Sequence, residues 1–359
     1  MVTRTAIRCA LLSSAFAWCL STPAAAQRAA AAGANGGTQL LFLGTSGGPL
    51  LHAARSKPST LLIVAGREYL IDCGIGTLHR MLEAGIDSTA VRTVFLTHLH
   101  SDHDLGLAEV MGNDFFVLSQ RRSPERIAVY GPPDTKELVD AAFRFIAVSV
   151  RPFAAENPSD YRTARGQLAS PFVAHEVARD GVIYQDDKIR VVAAGNSHYA
   201  LMPPRDRRRL ESYAYRIETP DGVVVFTGDT GPSDAVARLA EGADVLVAES
   251  STRGEDDLKR FIDGMVKRNH WPAARARDFH AHFVSEHLNT SDVGQLARKA
   301  HVKAVVLHHY DPDDKADQAA YVAGVKKRFS GSVFAPDDLD RYCLASGTLA
   351  ACPAAPAVK

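Results

Sequence analysis

The chain has 359 residues, of which 46% are hydrophobic and 23% charged, and its 41 basic side chains balance its 41 acidic ones. This composition is typical of a soluble globular protein with enough apolar residues for a large core. Because the charges balance, the chain lacks the excess of basic residues that is typical of general nucleic-acid-binding proteins. After the N-terminal segment, no apolar run is long enough to cross a bilayer.

The N-terminal segment has the features of a secretory signal peptide. A basic start is followed by an apolar run over residues 9–20 and by small residues before Gln27, where cleavage is expected. The alternative is a membrane anchor, but the run is short for that role. We therefore predict a signal peptide over residues 1–26 and a periplasmic or secreted protein without a membrane anchor. The mature chain would carry 39 basic and 41 acidic residues, a net charge of −2. Residues 27–37 are predicted to be a flexible lead-in.

Runs rich in β-branched and aromatic residues, separated by Gly, Pro, Asn and Asp, predict two sets of strands. The first set comprises Leu40–Leu43, Leu61–Ala65, Glu68–Ile71, Val91–Thr97 and Arg126–Tyr130. The second comprises Ile189–Ala194, Ser212–Glu218, Val223–Thr227, Val245–Ala248 and Val302–Leu307. The turn signal at residues 219–222 predicts a hairpin within the second set.

Helices are predicted among these strands, at Thr77–Glu83, Leu105–Leu118, Thr135–Ala147, Ser233–Leu239 and Ser291–Lys299. Two packed sheets with helices outside them would bury all these amphipathic elements in one domain. Residues 148–184 and 251–288 are poor in strand signal and are interpreted as insertions. Insertions beside a site often select the substrate.

The most informative segment follows the strand predicted at Val91–Thr97. It carries His98, His100, Asp102 and His103, four metal-competent side chains within six positions. Burying such groups after an apolar run is costly unless something satisfies them, and imidazole and carboxylate are ligands of zinc and similar cations. If the end of the strand is extended, the side chains of His98 and His100 point in the same direction. A turn after them would direct Asp102 and His103 toward a second point nearby. The alternatives are a solvated polar loop or helical histidines that pack together.

The sequence His-Leu-His-Ser-Asp-His resembles the signature of the metallo-β-lactamase fold hydrolases. Further segments resemble that superfamily's motifs in the same order, at residues 44–48, 71–74, 196–198, 226–230 and 307–312. The Gly-Thr-Ser-Gly-Gly segment is similar to the tRNase Z and phosphodiesterase-like branch. The resemblance implies an α/β protein with the αββα sandwich of the metallo-β-lactamase fold, a single domain with insertions. It would span residues 38–345 and be followed by a tail at 346–359.

The resemblance also implies a ligand set for two divalent metal ions, by default zinc. His98, His100 and His198 would bind one cation, Asp102, His103 and His309 the other, and Asp229 would lie between them. Two such cations polarise a substrate oxygen and activate an attacking water, here expected as a bridging hydroxide. Alignment favours His309 over its neighbour His308 as the last ligand, and nothing else in the sequence separates the two. Asp229 also suits a turn or helix cap, which is the alternative reading.

His287 precedes the helix predicted at Ser291–Lys299. A similar histidine in tRNase Z-like phosphodiesterases contacts the scissile phosphate or protonates the leaving group, a role that suits the ordinary pKa of imidazole. The alternative is an ordinary surface histidine. The predicted catalytic residues are therefore Asp102 and His287.

These inferences predict an exported, dinuclear, metal-dependent hydrolase that acts on a phosphodiester-type substrate. The alternatives are hydrolysis of a carboxylic ester, lactone, β-lactam or aryl sulfate, and a metal-binding protein without catalysis. The expected partner is a small-molecule substrate, with no nucleic acid and with a homodimer possible. The arginines at 205 and 207–209 either steer an anionic substrate or form a solvated loop. Cys343 and Cys352 either form a disulfide or remain free thiols.

Overall fold

The computed structural model describes residues 37–121, 125–161, 168–203, 205–206, 210–310 and 317–353. The predicted signal peptide and most of the lead-in lie outside these residues. In the described part of the chain, no helix combines the length and apolarity that a membrane span requires.

The first sheet has eight strands in the order β15-β14-β1-β2-β3-β4-β5-β6. Its strands are β1 (Thr38–Gly44), β2 (Ser59–Val64), β3 (Arg67–Ile71), β4 (Thr93–Phe95), β5 (Ile127–Gly131), β6 (Phe172–Glu176), β14 (Arg341–Ala345) and β15 (Thr348–Ala351). Pairs from β15 to β3 are antiparallel, and pairs from β3 to β6 are parallel. The parallel strands all end at the same edge of the sheet.

The second sheet has seven strands in the order β13-β12-β11-β10-β9-β8-β7. They are β7 (Gly181–Gln185), β8 (Arg190–Gly195), β9 (Tyr213–Thr219), β10 (Gly222–Phe226), β11 (Val245–Glu249), β12 (Ala304–His308) and β13 (Ser332–Phe334). Strands β10 to β13 are parallel, and β7 to β10 are antiparallel. Strand β11 is buried along its whole length, as expected for a parallel strand covered on both faces.

The helices are α1 (Thr77–Glu83), α2 (Ser101–Asp104), α3 (Gly106–Gln120), α4 (Thr135–Glu156), α5 (Pro158–Tyr161), α6 (Asp234–Leu239), α7 (Glu255–Asn269), α8 (Ala273–Glu286), α9 (Thr290–Lys299) and α10 (Gln318–Lys326), with a 3₁₀ turn at Ser88–Ala90. Three large apolar clusters follow from this arrangement. One lies between the sheets and includes Phe42 and Val247. Another joins the first sheet to α3 and α4, and a third joins the second sheet to α6 and α9. The predicted αββα sandwich is therefore confirmed.

The structure adds strands that the sequence analysis did not predict. The first predicted insertion contains β6 and the start of β7, so residues 148–184 contribute edge strands to both sheets. The predicted tail is also partly folded, because Thr348–Ala351 pairs with β14 beyond the expected boundary at residue 345. A disulfide joins Cys343 to Cys352 across this last hairpin.

Candidate active site

The segment from His98 to His103 lies where the first sheet's parallel strands end. Strand β4 ends at Phe95, and His98 and His100 follow before the next helix, His100 with an extended backbone. The single-turn helix α2 then starts at Ser101, so Asp102 and His103 lie in its first turn. The change from extended chain to helix directs these two pairs of side chains to neighbouring points.

The first predicted ligand group comes together as the sequence analysis expected. His98, His100 and His198 each offer a ring nitrogen, and the three atoms lie within 4.8 Å of one another. His198 Nε2 is 3.0 Å from His100 Nδ1. His198 reaches this point from the second sheet, three residues after β8 ends.

The second group consists of Asp102, His103, Asp229 and His309, all buried. Asp229 follows β10 and its oxygens approach both neighbouring histidines: Oδ1 lies 3.3 Å from His103 Nε2, and Oδ2 lies 3.0 Å from His309 Nε2. Asp229 Oδ2 also lies 3.9 Å from His98 Nε2, in the first group. Asp229 therefore stands between the two groups, where a bridging carboxylate is expected.

The residues fit a pair of bound cations, because several buried ligand atoms lack other partners. Among the described residues, the buried Nε2 atoms of His98, His103 and His309 and the buried Oδ1 of Asp229 have no hydrogen bond of acceptable geometry. Unpaired buried polar atoms are costly, and these converge on two points. Both donor sets suit zinc, because one group offers three imidazoles and the other offers two imidazoles and carboxylates.

The charges of the second group act strongly on one another. Burial disfavours the charged form of His103, but Asp229, Asp72 and Asp102 outweigh burial and raise the pKa of the imidazole well above its ordinary value. Burial likewise opposes ionisation of Asp229, but His309 and His103 hold its pKa well below the ordinary value. The carboxylates of this group therefore favour positive charge at the point where its histidines converge.

Further hydrogen bonds fix the orientation of the ligand rings. Asp72, at the end of β3, bonds His103 Nδ1 at 2.9 Å and accepts from the backbone of Thr97 at 2.7 Å. Its φ of 56° is left-handed, a conformation that aspartate tolerates better than most residues. His198 Nδ1 lies 2.9 Å from the carbonyl oxygen of Glu286. Such contacts leave the opposite ring nitrogen of each histidine to face the metal position.

The sequence alone did not decide which of the adjacent residues His308 and His309 belongs to the site, and the structure distinguishes them. Strand β12 ends at His308, and the left-handed φ of 59° at His309 turns the chain so that His309 enters the second group. His308 is buried outside both groups, and burial lowers the pKa of its imidazole to about 3.

His287 lies beside the ligands and belongs to a polar network. Its Nδ1 is 2.8 Å from Glu249 Oε2, and its Nε2 is 3.2 Å from His282 Nε2. His282 Nδ1 in turn lies 2.6 Å from Glu286 Oε2. His287 is 7% exposed, so it is not the surface histidine of the alternative reading. Burial and the charge of Asp229 raise the pKa of Glu249 well above its ordinary value.

Sequence reasoning assigned no role to Asp72, Glu249, His282 or Glu286. Glu249 carried a usable signal, since it ends a buried parallel strand as Asp229 follows the neighbouring one. His282 and Glu286 lie one helical turn apart on α8, inside a segment in which no helix was predicted. Of the arginine run, Arg205 is described and its side chain is 86% exposed, while the arginines at 207–209 lie outside the described residues.

Comparisons with known proteins agree with this geometry. Residues 67–310 match the family model described as beta-lactamase superfamily domain. A ribonuclease Z of Mycobacterium sp. (strain KMS) is 30% identical over 304 residues, which cover 84% of this chain and 95% of that protein. A solved metallo-beta-lactamase fold protein from Bacillus subtilis has a TM-score of 0.60 at 16% identity, covering 86% of this chain and 99% of its own. The short form of human tRNase Z has a TM-score of 0.56 at 18% identity, covering 85% of this chain and 99% of its own. The chain therefore belongs to the metallo-β-lactamase fold hydrolases, in their tRNase Z-like branch, and is a metal-dependent hydrolase of ester bonds.

Proposed function

We propose that this protein hydrolyses a phosphodiester with two divalent cations, by default zinc, held by the two ligand groups. The observation that carries the proposal is the position of Asp229, whose oxygens reach histidines of both groups. When bound, two cations would polarise a phosphoryl oxygen and lower the pKa of the attacking water. In the reaction, the attacking water releases one proton to solvent, its oxygen forms a bond to phosphorus, the bond from phosphorus to the leaving oxygen breaks, and that oxygen takes up a proton.

His287 is the residue we assign to supply that proton. Its ring is held at Nδ1 by Glu249, so Nε2 is the atom that can carry a transferable proton. The same atom contacts His282, whose side chain is 33% exposed and therefore connects the buried ring to solvent. General acid assistance of this kind is typically worth about 10²–10⁴-fold in rate.

The ribonuclease Z relatives support a nucleic-acid substrate as the second candidate. They count against the expectation from composition that no nucleic acid is involved. The same ligand groups also suit carboxylic or sulfate esters, because fold and metal site are shared by many chemistries. The choice among these substrates depends on the surface around the site.

We also propose export to the periplasm or beyond the cell. The features of residues 1–26 support this proposal, and so does the Cys343–Cys352 disulfide, since disulfides persist mainly in oxidising compartments. Fractionation of cells that express the full chain, followed by N-terminal sequencing, tests it. A mature protein that starts at Gln27 outside the cytosol is expected, and an unprocessed cytosolic chain would contradict the proposal.

The function is tested with the chain from Gln27 onward, loaded with zinc and compared with a chelated sample. The substrates are p-nitrophenyl phosphodiesters, sulfates and acetates, a lactone, a chromogenic β-lactam and a 3′-extended transfer RNA. We expect close to two metals per chain and the highest kcat/KM for a phosphodiester. His103→Ala should lose metal and turnover, while His79→Ala, at a side chain 72% exposed on α1, should retain both. Full activity with only trace metal would refute the proposal.

A further inference from the structure

Five aliphatic side chains at the loops and helix ends around the site are unusually exposed. Leu50, Leu51, Leu105, Leu201 and Val284 have exposed fractions of 49–67%, and we call them the apolar mouth. Single exposed aliphatic residues are normal on protein surfaces, but a group around one site is typical of a binding surface.

The first two residues are fixed beside the second ligand group. The ammonium of Lys57 is buried and binds the carbonyl oxygens of Gly47 at 2.7 Å and Leu50 at 2.5 Å. Gly47 lies so close to His309 that an added Cβ would be 2.1 Å from Nδ1 of that ring. The segment that presents Leu50 and Leu51 is therefore held against a predicted metal ligand.

The other three residues are attached to the remaining site elements. Leu105 follows directly after the helix of Asp102 and His103, and its amide bonds the carbonyl oxygen of Ser101. Leu201 donates its amide to Glu286 Oε1 at 2.7 Å. Val284 lies two residues before Glu286 on α8. Because the Glu286 carbonyl also holds His198, both residues lie close to the first ligand group.

The basic side chains that the structure describes in the loops around the site have acidic or carbonyl partners. In the described parts of these loops, the basic side chains are those of Arg55, Lys57, Arg205 and Arg253. Arg55 is 9% exposed and pairs with Asp337, and Lys57 is 1% exposed and bound by backbone carbonyls. Arg253 contacts Asp257 through two nitrogens at 2.6 and 2.7 Å, and Arg205 lies 3.5 Å from Asp206. Polynucleotides are bound mainly through basic contacts to several phosphates, and of these four side chains Arg205 alone is largely exposed.

We propose that the apolar mouth binds an aryl substituent of a small phosphodiester and so selects such substrates over polynucleotides. This inference rests on the proposed phosphodiesterase function. Burial of apolar area is the source of the preference, at roughly 25 cal/mol per Å². A phenyl ring that buries about 60 Å² would thus gain about tenfold in kcat/KM over a methyl group.

Methyl p-nitrophenyl phosphate and phenyl p-nitrophenyl phosphate test the inference, because they share a leaving group and differ only in the retained substituent. We expect the zinc-loaded protein to prefer the phenyl diester by about tenfold or more in kcat/KM. Leu105→Asn should reduce this ratio severalfold. The control Leu82→Asn, at a leucine 62% exposed on α1, should leave the ratio unchanged. A ratio near one in the unmodified protein would overturn the inference.

The affinities of phenylphosphonate and methylphosphonate, measured by calorimetry, provide a second test that does not require turnover. Tighter binding of phenylphosphonate than of methylphosphonate, with a smaller difference in the Leu105→Asn protein, would support the apolar mouth. If this result is obtained but no diester is hydrolysed, only the proposed function fails. Equal affinities would overturn the inference while leaving phosphodiester hydrolysis intact. Cleavage of a 3′-extended transfer RNA with a higher kcat/KM than the phenyl diester would also overturn it.

Discussion

Gly47→Ala should remove the second metal without removing a ligand. A Cβ at this position would lie 2.1 Å from Nδ1, 2.3 Å from Cε1 and 2.7 Å from Cγ of His309. Gly47 does not have a left-handed φ, so alanine brings no backbone strain and its effect is steric. To restore an ordinary contact of about 3.5 Å, the ring must move by about 1.4 Å. Metal–ligand distances tolerate only about 0.2 Å, so His309 would leave its coordination position.

We therefore expect the Gly47→Ala protein to hold about one metal per chain instead of two, and to lose about 10–100-fold in kcat, as when the support of a ligand is disrupted. Elemental analysis and turnover of a fluorogenic phosphodiester measure both effects. Gly264→Ala is the matched control, because a Cβ there meets nothing within 4 Å and lies in the helix α7. If the Gly47→Ala protein keeps two metals and unaltered turnover, His309 is not a ligand in the place we assign to it.

Three further predictions concern His309, His287 and the half-buried Glu68. His309→Ala should empty mainly the second site while His308→Ala keeps both metals, and elemental analysis showing the reverse would contradict our assignment. His287→Ala should leave metal content unchanged and slow esters of poor alkoxide leaving groups by about 10²–10⁴-fold, with smaller losses for p-nitrophenyl esters. Equal losses for both leaving groups would argue against acid catalysis. Burial raises the pKa of Glu68 from 4.5 to about 7, so the folded protein keeps a proton that the unfolded chain releases. The contribution of Glu68 to the free energy of unfolding should therefore fall between about pH 5 and 7, and Glu68→Gln should reduce the pH dependence in this range and stabilise the protein at pH 8 by at most about 3 kcal/mol, as measured by denaturant titration.

The sequence predicted the central strands well because their residues are buried on both faces. Two apolar runs that end at Gly, Asp or Glu illustrate this. Leu61–Ala65 coincides closely with β2, and Val245–Ala248 coincides closely with β11. The edge strands were missed for the opposite reason. Phe172–Glu176 and Gly181–Gln185 expose many of their side chains, so no hydrophobic pattern marks them. Their pairing depends on a neighbouring strand that is distant in sequence.

The candidate site shows a similar contrast between residues that could be predicted from the sequence and residues that could not. The segment from His98 to His103 was marked by its own residues, whereas His198, Asp229 and His309 were assigned through the resemblance to the family. Because the carboxyl ends of parallel strands converge on one edge of a sheet, side chains that follow such strands are brought close together. Glu249 could have been found by this reasoning. His282 could not, because its contact with His287 depends on where α8 ends relative to both sheets.

The second predicted insertion contributes to the candidate active site as well as to its surroundings. Helices α7 and α8 have a small apolar cluster of their own, formed by Leu258, Ile262 and Phe283. The end of α8 nevertheless supplies the carbonyl oxygen that holds His198 and the carboxylate that binds His282 and the amide of Leu201. A change in this helical hairpin that alters substrate choice therefore also acts on a ligand of the first group. Glu286 contacts Leu201 of the apolar mouth, His282 of the proposed proton route and the predicted ligand His198. We therefore propose that substrate selection and metal binding are energetically coupled in this protein.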